Sequence, residues 1–215
     1  MAPLKLYIGN KNYSSWSFRP WLAMTAAGIP FEEALIRFDF PAGNPDIKAV
    51  SESGKVPLLQ NGKVKVWESL AIIEYVAELY PDHSIWPGGM EKRALARAVS
   101  AEMASSFSAL RSHCPMNFRQ QPIELKVDDA TKADIARINH IWTSQIAAHG
   151  GPFLFGDFSA ADAMYAPVVN RFDIYGLTPS PEAEIYMENM KSHFAWKAWE
   201  TEALKEPWVV PEDEI

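Results

Sequence analysis

A single cysteine, Cys114, stands among the 215 residues, which excludes an intrachain disulfide and a thiolate zinc cluster. The five histidines, His83, His113, His140, His149 and His193, fall without metal-ligand spacing, so no metal is expected. No apolar run approaches the roughly 18 residues of a membrane helix, and the first residues lack the charged, apolar and cleavage regions of a secretory leader. No run of Lys or Arg occurs either. With 20 basic against 27 acidic side chains the net charge is −7, and a nucleic-acid partner has no electrostatic support. The acidic excess lies in residues 81–215, since 1–80 is balanced. Apolar residues, by contrast, make up 48% of the chain, enough for a real core. These limits predict a globular cytoplasmic protein that touches neither membrane nor nucleic acid.

The most informative segments are Lys55-Val56-Pro57-Leu58-Leu59 and Trp67-Glu68-Ser69-Leu70-Ala71-Ile72. Between them, Asn61-Gly62 predicts a type I′ turn with positive φ at both residues, joining strands over Pro57 to Gln60 and Lys63 to Trp67. After Trp67 the apolar period lengthens to about 3.6, with Leu70, Ile73, Val76, Ala77 and Tyr80 on one helical face. Pro57 cannot donate to a ladder, so the backbone of Val56 is left open to a peptide. A helix opening with Glu68-Ser69 places a carboxylate and a hydroxyl at its positive end. That pairing suits the ammonium and carboxylate of an α-amino acid.

Elsewhere the first half reads as strand Leu4 to Ile8, then a helix carrying Phe18, Trp21, Leu22 and Thr25 and stopped by Gly28. A second strand is expected from Phe31 to Phe38, then a loop with one short helix over Phe40 to Ser53. The turn-rich stretch Pro81 to Gly89 reads as a linker. Beyond it strand patterns vanish. Leu95, Ala98, Val99, Glu102, Ser106 and Leu110 predict one long helix, and Asp129 to Ala148 another, with Ile135, Ile138, Trp142 and Ile146 inward. Ser159-Ala160-Ala161-Asp162 is a capping-box variant that starts a further helix. Two shorter helices are expected near Glu182–Ser192 and Ala195–Leu204. The predicted division is an α/β unit over 1–80, a linker over 81–90 and an all-helical unit over 91–215.

This combination resembles the cytosolic glutathione transferases over nearly the whole chain, most specifically in 12–80 and around 153–170. The resemblance implies a thioredoxin-like N-terminal domain, an all-α C-terminal bundle, a cis Val56-Pro57 bond and a homodimer with glutathione as co-substrate and no metal. It further implies that Val56 pairs with the cysteinyl residue of glutathione. Glu68 and Ser69 would hold the γ-glutamyl ammonium and carboxylate, and Lys55 the glycyl carboxylate.

Glutathione chemistry needs an ionised thiol, and a hydroxyl aimed at sulfur beside a helix N-terminus favours the thiolate. In Asn12-Tyr13-Ser14-Ser15-Trp16-Ser17-Phe18-Arg19-Pro20, proline is best tolerated in a first helical turn, which sets the helix start near Trp16 or Ser17. Ser14, Ser15 and Arg19 match the Ser-Ser-Cys-x-x-Arg pattern of the zeta class, so the chain resembles most closely the serine-type, zeta-like bacterial members. The resemblance places Ser14 as the catalytic, thiolate-stabilising donor, with Ser15 the second choice and both in the glutathione site. Tyr13 and Tyr7 stand where tyrosine-type members would draw their donor. Ser17 reads as a helix cap and Arg19 as half of a structural ion pair. Trp16 replaces the zeta cysteine, which argues for glutathione conjugation to a small apolar electrophile. Alternatives are a zeta-type, maleylacetoacetate-like isomerase and a catalytically silent adaptor. The electrophile pocket is expected from Trp16, Arg111, Met116, Asn117 and Phe118, with Cys114 inert.

Overall fold

The structure is a computed structural model that describes residues 3–215. Strand β1 (Leu4–Ile8) alternates buried and half-buried residues, with Leu4, Leu6 and Ile8 facing the core. Helix α1 (Ser15–Ala26) carries the chain across to β2 (Glu32–Leu35), parallel to β1. After the short α2 (Pro45–Val50), β3 (Leu58–Asn61) pairs antiparallel with β1, with Leu6 opposite Leu59. Strand β4 (Val64–Trp67) closes the edge and α3 (Ser69–Leu79) packs back. The order β2-β1-β3-β4 is the thioredoxin-like plan.

Two local expectations are corrected. Asn61 belongs to the ladder, opposite both Leu4 and Val64, so the hairpin loop is Gly62-Lys63. Only Gly62 there has positive φ (60°), which is the pattern of a type II′ turn. Strand β2 also stops at Leu35, short of the expected Phe38. Past Ile36, whose N–H still reaches Ile8 at 2.8 Å, the Phe38 N–H turns to the side chain of Asn10 at 2.8 Å. The rings of Phe38 and Phe40 then stack 5.2 Å apart.

The second half is helical: α4 (Met90–Ser105), α5 (Ser108–His113), α6 (Asp129–His149), α7 (Ala160–Ile174), α8 (Pro181–Ser192) and α9 (Phe194–Ala203). The single helix expected through Leu110 is broken at Phe107, which takes a left-handed conformation (φ 59°) and buries its ring. Asp134 of α6 then accepts the Leu110 N–H at 3.0 Å, so α5 docks on α6 instead of extending α4. The break turns Arg111 toward the N-terminal domain.

Helix α7 is the central pillar, buried along nearly all of its length. Its capping carboxylate, Asp162, accepts from the Ser159 N–H at 2.9 Å and the Leu154 N–H at 3.0 Å. Arg19 of α1 is fully buried against α7 and, contrary to expectation, forms no ion pair among the described residues. It donates instead to the carbonyls of Met164 (2.9 Å) and Ser15 (2.8 Å), tying the two halves together. Phe18 adds an aromatic joint, stacked on Trp199 at 4.9 Å and edge-on to Trp196 and Phe118.

Candidate active site

Helix α1 starts at Ser15, one residue ahead of the expected Trp16, and Ser14 occupies its N-cap position, yet the Ser14 hydroxyl does not cap the helix. Its Oγ donates to Ser17 Oγ at 2.7 Å, and Ser17 also accepts the Gly9 N–H at 3.1 Å. Ser17 is therefore no cap but the support beneath Ser14. Gly9 is needed for this approach: a Cβ there would lie 2.5 Å from the Phe38 ring and 3.1 Å from Ser14 Oγ. Ser15, at the first helical position, also borders the cleft.

That cleft has a volume of about 490 Å³ and runs between the domains, with Ser14, Ser15, Trp16, Lys55 and Val56 on one side. A second cavity of about 290 Å³ continues from it, sharing Trp16, Lys55, Val56 and Arg111 and reaching Pro57, Glu68 and Ser69. The Val56-Pro57 peptide is cis, and among the described residues neither backbone group of Val56 has a hydrogen-bond partner. Glu68 holds the N-cap position of α3 at φ 67°, a strained position for a side-chain-bearing residue, makes no capping hydrogen bond and stays exposed at the cavity rim. Ser69 is buried and donates its hydroxyl proton to the Trp16 carbonyl at 2.7 Å. Its oxygen remains an acceptor, and the first turn of α3, whose leading N–H groups have no intrahelical partner, begins at the cavity with Ser69. Lys55 is exposed where the two cavities meet. All the residues expected to touch glutathione thus line one continuous groove.

The expected electrophile wall divides. Arg111 and Met116 line the larger cleft, and Trp16 lies between two guanidiniums, Arg19 at 4.2 Å and Arg111 at 5.3 Å from its ring centre. Asn117 and Phe118 do not border either cavity. Asn117 folds its own turn: Oδ1 accepts from Asn12 Nδ2 (2.8 Å) and from the Arg119 (3.0 Å) and Gln120 (3.1 Å) backbone. Phe118 belongs to the aromatic joint around Phe18. Residues the sequence reading passed over take the vacated part of the wall: Phe38, Phe40, Arg171 and Asp213. Of these only Arg171 leaves a signal, as a cation inside the apolar stretch that forms α7.

Two other groups are poorly placed for chemistry. Cys114 is buried, and burial pushes its thiol up to about 11, far from a reactive thiolate. Tyr13 borders the cleft, but its hydroxyl donates to Glu214 and accepts from Arg119 Nη2 at 2.8 Å. Arg119 also holds the carbonyls of Glu206 and Trp208, so Tyr13 helps strap the C-terminal segment across the cleft. Tyr13→Phe is expected to cost about 1 kcal/mol in urea melts while leaving thiolate formation unchanged. A rise in the thiol pKa in that variant would make Tyr13, not Ser14, the sulfur donor. Tyr7 faces Gln60 across the sheet at 3.2 Å, away from the cleft.

Comparison with known proteins bears on the family and the fold. The family model for the glutathione S-transferase N-terminal domain matches residues 13–79, and that for the C-terminal domain matches 94–184. Glutathione S-transferase L2, chloroplastic, of Arabidopsis thaliana is 29% identical over 157 residues, covering 72% of this chain and 49% of that protein. The chain thus spans about half the length of that relative. A probable maleylacetoacetate isomerase of Caenorhabditis elegans is 29% identical over 178 residues, 78% of this chain and 80% of its own. Among solved structures, a glutathione transferase homologue from Burkholderia gl BGR1 with bound glutathione superposes with a TM-score of 0.73. It is 23% identical and covers 95% of this chain and 100% of its own, a likeness of fold. With both domain models matched in order over more than half of its residues, the chain is a member of the glutathione S-transferase family.

Proposed function

We propose that the protein binds glutathione along the groove from Glu68 to Ser14 and joins its sulfur to a small electrophile in the interdomain cleft. The observation that carries this reading is the alignment of an open peptide edge at Val56, a helix N-terminus at Ser69 and a buried hydroxyl at Ser14 along one groove. Val56 would pair with the cysteinyl backbone. Glu68 would take the γ-glutamyl ammonium, and the first-turn N–H groups of α3 its carboxylate. Lys55, exposed at the junction, suits the glycyl carboxylate.

With glutathione in place, Ser14 turns its proton from Ser17 to the sulfur, and Ser17 turns its own proton onto Ser14 Oγ. Two hydroxyl rotations thus move a donor to the sulfur with no net proton transfer, and the cysteinyl thiol gives its proton to solvent. The thiolate pair forms a carbon–sulfur bond at the electrophilic carbon. In an addition, the displaced π pair becomes an enolate that takes a proton from solvent. In a substitution, the bonding pair to the leaving group departs with that group. The similarity to a maleylacetoacetate isomerase favours a second reading, in which the thiolate adds to one substrate and leaves again after bond rotation.

Calorimetry with glutathione tests the binding half. Wild type is expected to bind, and Glu68→Ala to bind at least roughly tenfold more weakly, because a charge-assisted hydrogen bond is lost. Glu68 is exposed, so the variant should keep wild-type stability to within about 0.5 kcal/mol. Equal affinity in the two proteins would remove Glu68 from the site.

A further inference from the structure

Two guanidiniums, Arg171 and Arg111, line the electrophile side of the cleft and a third, Arg19, lies behind Trp16, none with a carboxylate within ion-pair distance among the described residues. Arg171 of α7 is almost wholly buried, its Nε donates to the Cys114 carbonyl at 2.7 Å, and its Nη1 has no hydrogen-bond partner. Arg19 Nη2 is unpartnered in the same way just behind Trp16. Arg111, half-buried at the junction of the two cavities, donates only to the Phe107 carbonyl at 3.3 Å. None of the three forms an ion pair among the described residues. Burial pulls all three below the ordinary arginine value, Arg171 to about 10. Buried charges of one sign with unused donors are destabilising unless an anion completes them.

The cleft is built to receive one. Arg171 and Arg111 both line it, with the side chains of Ser108 and Ser112 beside them. Asp213, from the strapped C-terminal segment, is the one carboxyl on the same wall. It lies beyond ion-pair distance of either arginine, and although Arg171 and Asp213 feel each other's charge, Nη1 of Arg171 stays without a hydrogen-bond partner. A guanidinium presents a planar fork of donors that matches a carboxylate. In the same cleft, Trp16, Phe38, Phe40 and Met116 offer apolar surface for a carbon skeleton.

We infer that the second substrate is an electrophile carrying a carboxylate, its anion held by Arg171 and Arg111 and its apolar part against Trp16, Phe38 and Met116. The inference rests on the glutathione reading for the word substrate, but the anion site stands on its own geometry. It replaces the purely apolar electrophile expected from the sequence.

Phenylacetate and its neutral isostere phenylacetamide, titrated into wild type with and without saturating glutathione, test it. Phenylacetate should bind at least tenfold more tightly than phenylacetamide under both conditions. Arg171→Met is at risk of misfolding because the residue is buried, so the half-buried Arg111 supplies the variant. Arg111→Gln should lose most of the preference for the acid, read as the ratio of phenylacetate to phenylacetamide affinity in the same variant. Equal affinity of acid and amide would overturn the assignment. So would phenylacetate binding that glutathione abolishes, since the arginines would then receive a carboxylate of glutathione itself. If glutathione does not bind but phenylacetate is preferred, the glutathione reading fails and the anion site remains.

Discussion

Ser14→Ala is expected to lower kcat/KM for glutathione conjugation by roughly 10- to 150-fold, the loss of one hydrogen bond to a charged acceptor. The fall should sit mainly in kcat at neutral pH, because the hydroxyl meets the sulfur and not the peptide backbone of glutathione. The acid limb of the pH–rate profile should move to higher pH, since removing a donor from the thiolate raises the thiol pKa. Stability should change little: the Ser14 hydroxyl bonds only Ser17, which keeps the Gly9 N–H. Ser15→Ala provides the contrast, with an effect within a few-fold. If the two variants exchange these outcomes, Ser15 is the donor and Ser14 its support.

The largest expected loss of stability follows from Asp162→Ala. One fully buried carboxylate accepts from the Leu154 and Ser159 N–H groups, the Ser159 hydroxyl and the Tyr186 hydroxyl at 3.2 Å. Removing it orphans four donors at the start of α7, against which both domains pack. At about 1–3 kcal/mol for each buried unsatisfied group, the total exceeds about 4 kcal/mol. For a chain of this size the melting temperature should fall by about 8–16 °C. Burial also pushes Asp162 up to about 6, with the four donors pulling the other way. Native protein therefore takes up this proton at higher pH than unfolded chain, where the carboxyl titrates near 3.8. The group's proton-linked contribution is lost as pH rises through about 6 and is fully present below the unfolded value. The stability gap between wild type and Asp162→Ala should widen as pH falls from about 7 to 4, by up to about 3 kcal/mol. Urea melts across that range measure it, and a gap that narrows toward acid would show the carboxylate to be held ionised.

The legible parts of this molecule were the local ones. Val56-Pro57, Glu68-Ser69 and the helix that follows lie within one continuous stretch, 56–79, so periodicity and turn chemistry read them directly. The same local view misplaced the hairpin turn by one residue, because ladder pairing to β1 decides where β3 ends. It also ran α4 into α5, since nothing within residues 95–110 reveals that Asp134 captures the Leu110 N–H. Asn117 reads as cleft wall, although Pro-Met-Asn is also a turn signal, and its side chain serves that turn. The cleft itself was the least legible. Phe38, Arg171 and Asp213 come from three distant segments, and only the packing of α7 against α1 and the strapping of the C-terminal segment by Arg119 bring them together. Ser17, beneath Ser14, was visible as a residue type but not as a partner, because its role depends on the approach of Gly9 from β1.

The most direct test of the central claim is the ultraviolet titration of the glutathione thiolate bound to wild type and to Ser14→Ala. In the wild-type complex the thiolate should form well below the pH near 8.5 at which a free thiol ionises. In the Ser14→Ala complex its formation should return most of the way toward that value. A wild-type complex that binds glutathione and titrates like the free thiol would contradict the account, leaving a groove that holds the peptide without activating its sulfur.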